Sequence, residues 1–441
     1  MDEQKIREDA AATIARYVQF DTTNPPGNEM PAALWVRDQL AQRKITSDIT
    51  IHEPLPGRGL VVARIAGSEN LKPLMINHHI DVVAADPAQW THPPFGGIVA
   101  DGFVWGRGTL DTKGLGVMFM LALESLISEG VKFRRPIVFT AVPDEEPGGQ
   151  NGMRWLVENH IKDIDPEWVW DEGSGGLKDV FGKGIVFAIA VAEKQIYRFK
   201  LIARGEPGHG SMPHANSANT RLIAALQRII EAPRPLKTGP ASAAMFASLA
   251  HTQKFPAAFL LGHLANPLVL KLAGKSLAAQ KFTNAVLRDT VSVNIIQAGY
   301  QINVIPECAE AQLDCRLLPE TDAGEFRQWL VSRIADECIN IEMIQTSPPS
   351  GLAPTDNPFY RSVTSAIHKY APGAGVFPLL MAGATDGRYW RERGYPAYGF
   401  TPMILETNDI GRVHGIDERI SADNLLLGIK MVRDILQTLC A

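Results

Sequence analysis

Three acidic residues in a row, Asp144, Glu145 and Glu146, follow the apolar run "IVFTAV" (Ile137 to Val142) and lead into Pro147, Gly148 and Gly149. The apolar run reads as a buried strand. Three like charges at its end repel one another unless a cation lies close. Four further stretches place metal-capable side chains at comparable points. His79 and Asp81 of "MINHHIDVV" lie two apart on extended chain, so their side chains point the same way. Asp111 of "GRGTLDTKG" stands between a Gly-rich turn and a helix beginning near Lys113. Asp171 and Glu172 of "WVWDEGSGG" end another apolar strand, and His414 lies in "GRVHGIDERIS".

Each stretch has an ordinary explanation. His79 fits a polar strand end, Asp111 a helix N-cap, the acidic triplet a solvated turn, and His414 a lone loop histidine. Taken together they form His, Asp, paired Glu, Asp/Glu and His, all at predicted strand ends or loops. Nitrogen and carboxylate donors without thiolates suit zinc or a similar divalent ion. One Asp bridging two ions, each with one His and one Glu, gives a compact cluster in which the cations separate the acids. Successive residues of an extended chain face opposite sides. Glu145 and Glu146 therefore need not play the same part, and one can ligate while the other faces the cleft as a free carboxylate. Asp81 can fix the geometry of His79, since ligand histidines have their second nitrogen held.

The elements that must carry these residues alternate. A helix at about 31–43 is followed by strands at "LVVARI" and "LMIN", a long helix at "LGVMFMLALESLISEG", the "IVFTAV" strand, a short helix near 153–160 and "WVWDEG". Strands alternating with helices predict an α/β layer fold with a mostly parallel sheet. Such sheets place their sites at the strands' carboxyl ends. Near Glu193 the texture changes to a smaller α+β unit. In it "IYRFKLIARG" reads as an edge strand, and "DTVSVNIIQAG" and "AEAQLDCRLLP" as further strands. The larger texture then returns. The reading is a first domain in two parts, 1–193 and 351–441, with an insert at 194–350.

The 441 residues suffice for two domains with sizeable cores, and 45% hydrophobic with 21% charged residues is ordinary for a globular chain. A net charge of −5 argues against a nucleic-acid or anionic-membrane surface. Cys308, Cys315, Cys338 and Cys440 form no CxxC pair and read as thiols of a reducing compartment. The start, "MDEQKIREDAAATIARYVQF", lacks the pattern of a secretory signal, which predicts a cytoplasmic protein. The apolar stretch 255–274 is broken by Pro256, His263, Pro267 and Lys271, so no membrane span is predicted.

In order and spacing, "HHID", "GRGTLDTKG", "PDEEPGG", "DEGS", "GEPGHGSMPH", "NVIPECAEAQLDCRLLP", "GATDGR" and "VHGIDERI" resemble the two-zinc exopeptidase and deacylase family of aminoacylase-1, carboxypeptidase S and glutamate carboxypeptidase. "DTTNPPGNE" and an insertion at about 233–289 resemble its carboxypeptidase S-like branch of N-acyl amino acid hydrolases. The resemblance implies a zinc-exopeptidase-like catalytic domain with a mixed, mostly parallel sheet, and an inserted α+β lid and dimerisation domain. It implies two zinc ions, with cobalt or manganese as substitutes. His79 and Glu172 would hold one ion, Glu146 and His414 the other, and Asp111 both. Asp171 is the competing acid; Glu172 is favoured because the family's ligand is usually followed by Gly or Pro.

Glu145 would be the general base and acid, with Asp81 supporting His79. His209 of the insert would polarise the scissile carbonyl, often in the partner subunit of a homodimer. Asn303, Arg316, Gly383 and Arg388 match positions on the substrate side. The implied reaction is hydrolysis of the amide bond of N-acyl amino acids or short peptides. Another small amide, carbamate or ester on the same site, or a non-catalytic binding homologue, is the alternative. The apolar residues of 233–289, among them Met245, Phe246, Phe255, Phe259, Leu264 and Leu268, read either as a wall for a hydrophobic acyl group or as packing.

Overall fold

The computed structural model describes residues 2–347 and 349–441. Its larger sheet has ten strands. In order these are Ile49–His52, Leu60–Ile65, Ile137–Val142, Leu74–His79, Trp168–Asp171, Ala397–Gly399, Ile185–Glu193, Gly176–Lys178 and Ile404–Leu405; Gly375–Met381 also pairs with Ile185–Glu193. The four strands from Ile137–Val142 to Ala397–Gly399 run parallel. Antiparallel ladders flank them, so the sheet is mixed and mostly parallel.

Side-chain alternation sorts each strand between two cores. Ile137, Phe139 and Ala141 enter the core under helices Glu3–Val18, Lys113–Ser128, Pro358–Tyr370 and Ala422–Cys440. Val138 and Val142 face the opposite way, toward Met153–Ile164 and Gly387–Glu392. Burial of each Ile, Phe or Val among these stabilises by about 1.5–3 kcal/mol. That burial holds the strand ends in place despite the acids gathered there.

The second unit is a four-stranded antiparallel sheet in the order Thr290–Ala298, Cys308–Leu317, Gln195–Arg204, Ile339–Thr346, with Ala218–Ile230 and Ala323–Ile334 packed on its apolar face. The edge position expected for "IYRFKLIARG" does not hold. Gln195–Arg204 is an internal strand, paired on both sides. Its alternating polarity reports one buried face, not a free edge.

The insertion 233–289 forms four helices, Pro240–Ala250, Ala257–Gly262, Pro267–Ala279 and Lys281–Val286. Met245, Phe246 and Leu264 pack on Val186, Ala188, Ala190 and Phe377 of the larger sheet, so this stretch covers that sheet. Phe255, Phe259 and Leu268 stay exposed. No helix among the described residues is long and apolar enough to cross a membrane.

Candidate metal centre

The strand Leu74–His79 ends in two histidines that alternation sends to opposite faces. His78 points into the core, where Tyr17 Oη lies 3.1 Å from its Nε2. Burial and the charge of His79 push its pKa down to about 3. His79 faces the site. Its Nδ1 lies 2.8 Å from the Asp81 carbonyl oxygen, which fixes the tautomer and leaves Nε2 as the free donor atom. Nε2 is 2.9 Å from Asp111 Oδ1 and 3.6 Å from Glu172 Oε1.

Asp111 is the shared element. Its other oxygen, Oδ2, is 2.9 Å from His414 Nε2, which also lies 3.2 Å from Glu146 Oε2. The helix Lys113–Ser128 begins after Thr112 with no side-chain cap, so Asp111 does not serve as its N-cap. Its loop is held from below by Glu418, which is fully buried. Glu418 accepts from the backbone N–H groups of Gly108 at 3.1 Å, Leu110 at 2.7 Å and Asp111 at 3.2 Å, and from Arg107 Nη1 at 2.7 Å. Arg107 Nη2 in turn donates to Gly415 O at 2.9 Å. One carboxylate thus ties the Asp111 loop to the His414 loop.

The acidic triplet sits in a tight turn. The Asp81 carboxylate accepts from Glu145 N at 3.0 Å, Glu146 N at 3.2 Å and Asn24 Nδ2 at 2.9 Å. Asp81 therefore supports His79 through its carbonyl and the Glu145–Glu146 turn through its carboxylate. Asp144 leaves the cluster: it faces Arg58 at 3.4 Å and takes hydrogen bonds from Asn24 and Asn151. Arg58 also pairs with the buried Glu29 at 2.6 Å and donates to Asn24 Oδ1 at 3.0 Å. Gly149 has φ +70°, and a Cβ there would stand 2.6 Å from Asp386 Oδ1, so the turn needs glycine at that point.

Asp171 and Glu172 part company as neighbours on a strand should. Asp171 accepts from Asn77 Nδ2 at 2.7 Å and Gly387 N at 2.5 Å. Glu172 turns to His79. Donor atoms of His79, Glu145 and Glu172, and again of His79, Asp111 and Glu146, lie within 4.8 Å of one another.

Burial, with the charges of Glu146 and Asp81 adding to it, pushes Glu145 up to about 8. Burial and the charge of Asp111 hold Glu172 well above the carboxylate range. Hydrogen bonds to Asp111 and Glu146 push His414 up to about 10. Asp111 is held far below its usual value, because hydrogen bonds to His414 and His79 outweigh its burial. Glu146 Oε1 is buried with no hydrogen-bond partner. A hard carboxylate and imidazole set, with one acid between two histidines and an orphaned oxygen among them, fits a pair of divalent cations.

Of the remaining predicted residues, Arg388 lies beside the cluster, and His209, Asn303 and Arg316 lie in the second unit. A two-residue ladder pairs Gly208–His209 with Val304–Ile305, and Gly210 N donates to Asn303 O at 2.8 Å, so His209 and Asn303 are neighbours. The His209 imidazole is exposed and bonds Ser211 Oγ at 2.8 Å. Arg316 pairs with Asp314 at 2.5 Å. Gly383 lies in open space. Arg388 is buried and donates to Gly148 O at 2.7 Å, beside the Glu145 turn.

Sequence reasoning does not single out Asn24, Arg58 or Glu418. Asn24 lies in "DTTNPPGNE" and Glu418 in "VHGIDERI", and an acid or amide within a motif that is otherwise explained is the signal that could have found them.

The profile of the peptidase family M20/M25/M40 matches residues 75–438. The chain is 31% identical over 399 residues to the N-fatty-acyl-amino acid synthase/hydrolase PM20D1 of Xenopus tropicalis, covering 89% of this chain and 77% of that protein. It is 31% identical over 365 residues to the probable carboxypeptidase S-like 2 of Dictyostelium discoideum, covering 81% and 69%. The fold matches the M20 family metallo-carboxypeptidase Sso-CP2 of Sulfolobus solfataricus with a TM-score of 0.76 at 18% identity, over 97% and 98% of the two chains. From residue 75 almost to its end, through every strand that delivers a donor atom to the cluster, the chain belongs to the M20/M25/M40 peptidase family and is a hydrolytic enzyme.

Proposed function

We propose that this enzyme hydrolyses the amide bond of N-acyl amino acids or short peptides at a two-metal centre. The observation that carries the reading is Asp111, with one oxygen 2.9 Å from His79 and the other 2.9 Å from His414. In this reading His79 and Glu172 hold one ion, Glu146 and His414 the other, and Asp111 both. Zinc is the expected metal, with cobalt or manganese able to replace it. Bound divalent ions polarise a carbonyl and acidify water.

The chain's own residues do the rest. Of the two glutamates of the triplet, Glu145 is the one that this reading leaves without an ion, free to carry a proton. It takes a proton from the attacking water as the C–O bond forms, then delivers it to the leaving amine as the C–N bond breaks. Such transfer contributes roughly 10²–10⁴-fold. His209 donates to the oxyanion of the tetrahedral carbon, and Asn303, Arg316, Gly383 and Arg388 contact the substrate.

Exposure of His209 supports its donation to a partner's site. So do the edge strand Thr290–Ala298 and the exposed Met212, Ile296, Tyr300 and Ile302, which fit a homodimer built through the second unit. Metal-loaded protein tested on N-acyl amino acids of short and long chain, dipeptides and aryl amides should cleave one of the first two classes. Loss of that activity in Glu145→Gln is expected, and no turnover of either class would overturn the reading.

A further inference from the structure

The helical insertion carries an exposed surface that holds none of the residues of the metal centre. Between Pro240 and Phe282 it holds Lys254, Lys271, Lys275 and Lys281 and no acidic residue, in a chain whose net charge is −5. All four lysines are exposed and none forms an ion pair among the described residues. Large apolar side chains stand among them: Phe255 is 83% exposed, Phe259 51%, Leu268 71% and Leu272 82%. Single exposed apolar residues are common, but four of them in the stretch 255–272, with lysines between and beside them and no acid, mark an interaction surface.

Helical periodicity explains the arrangement. In Pro267–Ala279 the positions Val269, Leu270, Ala273 and Leu277 turn inward onto the core that covers the larger sheet. Leu268, Lys271, Leu272 and Lys275, spaced three and four apart, then share the outer face. A turn of four residues, 263–266, joins this helix to Ala257–Gly262, which follows Phe255 and carries Phe259. Folding has used the inner face, so the outer leucines are not core residues awaiting a partner within the chain.

We propose that this face docks on the surface of an anionic lipid membrane. Leu268, Leu272, Phe255 and Phe259 would enter the headgroup boundary, and the lysines would contact the lipid charges. Interfacial helices combine an apolar insertion with Lys on the flanks in this way. A second copy of the chain is a poor occupant, because a two-fold contact would set lysine against lysine with no acid to offset them. The whole-chain charge of −5 does not describe this patch: a surface potential fades within about 8 Å at physiological salt.

The test is sedimentation of the full-length protein with vesicles of phosphatidylcholine alone and with added phosphatidylglycerol. Expected is binding to the anionic vesicles, weakened by salt and absent with phosphatidylcholine alone. Lys271→Gln with Lys275→Gln should lower the partition coefficient by about 25-fold, roughly fivefold for each lysine. Leu268→Ser with Leu272→Ser should lower it at least about tenfold. All four positions are on the surface, so both variants should keep the wild-type circular dichroism and the wild-type rate on a soluble substrate. No binding to anionic vesicles at low salt would overturn the proposal, as would binding unchanged in both variants. So would a concentration-dependent dimer that disappears in the leucine variant without any vesicle binding, which would make the face a contact between copies.

Discussion

Replacing Glu418 tests how far the metal centre depends on a residue that holds no metal. In Glu418→Ala three backbone N–H groups, of Gly108, Leu110 and Asp111, lose a buried acceptor, and Arg107 loses its 2.7 Å partner. A buried donor left unsatisfied costs about 1–3 kcal/mol. A buried charge stripped of its partner costs about 3–5 kcal/mol. These do not add in full, since water can enter the space, but a loss on the order of 5 kcal/mol is expected. That is a large part of the roughly 5–15 kcal/mol a domain has. Glu418→Gln keeps one acceptor oxygen and should fold with a smaller loss. Its Asp111 loop should be looser, and metal affinity should fall by about 10–100-fold, the usual effect of altering a group behind the ligands. Urea unfolding of metal-free protein and competition with a metal indicator measure the two effects. A Glu418→Ala protein with the wild-type unfolding midpoint and metal affinity would refute the reasoning.

The two adjacent glutamates should separate: Glu145→Gln keeps both ions and loses nearly all turnover, whereas Glu146→Gln also weakens one metal site; equal metal content with equal residual rates would contradict that division. In metal-free protein Glu145 is raised from 4.5 to about 8, chiefly by burial, and His414 from 6.5 to about 10 by its hydrogen bonds to Asp111 and Glu146. Groups with raised folded values contribute stability that is complete below the unfolded value and lost as pH climbs through the folded one. Lys113 and Lys194, lowered to about 7 by burial, act in the opposite sense over the same range, so the test is a difference: from about pH 7 to 10 metal-free wild type should lose more melting temperature than metal-free His414→Gln, and metal affinity should rise as the His414 proton leaves; equal changes in the two proteins would count against the His414 assignment. His209→Ala should retain metal and lose about 10²-fold or more in kcat. Mixed with Glu145→Gln under subunit exchange it should regain activity, and no recovery with exchange verified by mass would remove the contribution in trans.

Alternation along strands is what a sequence displays best, and it predicts that Glu145 and Glu146 need not face the same way; the choice of Glu172 over Asp171 rests instead on the family resemblance. Turn chemistry also shows itself, since Gly148 and Gly149 break the strand where the acids need a tight reversal. What the sequence hides is the destination of polar groups that bond backbone. Glu418 serves N–H groups about 310 residues earlier, and peptide N–H groups carry no side-chain signature. Asn24 reaches Asp81 across 57 residues through an amide that reads as part of a Pro-rich turn. Asp144 looks like a third member of the acid cluster because Arg58, its counter-ion, lies in an unremarkable loop. The sheet position of Gln195–Arg204 is hidden for a related reason: one-sided burial gives the same alternation in an internal strand as at an edge.

Asp111 joining two ions is the central claim, and elemental analysis of wild-type and Asp111→Ala protein under saturating zinc tests it most directly. The wild type should hold close to two ions per chain and the variant close to none, because both sites lose the same carboxylate. A wild type that saturates at one ion, or an Asp111→Ala protein that keeps two, would contradict it.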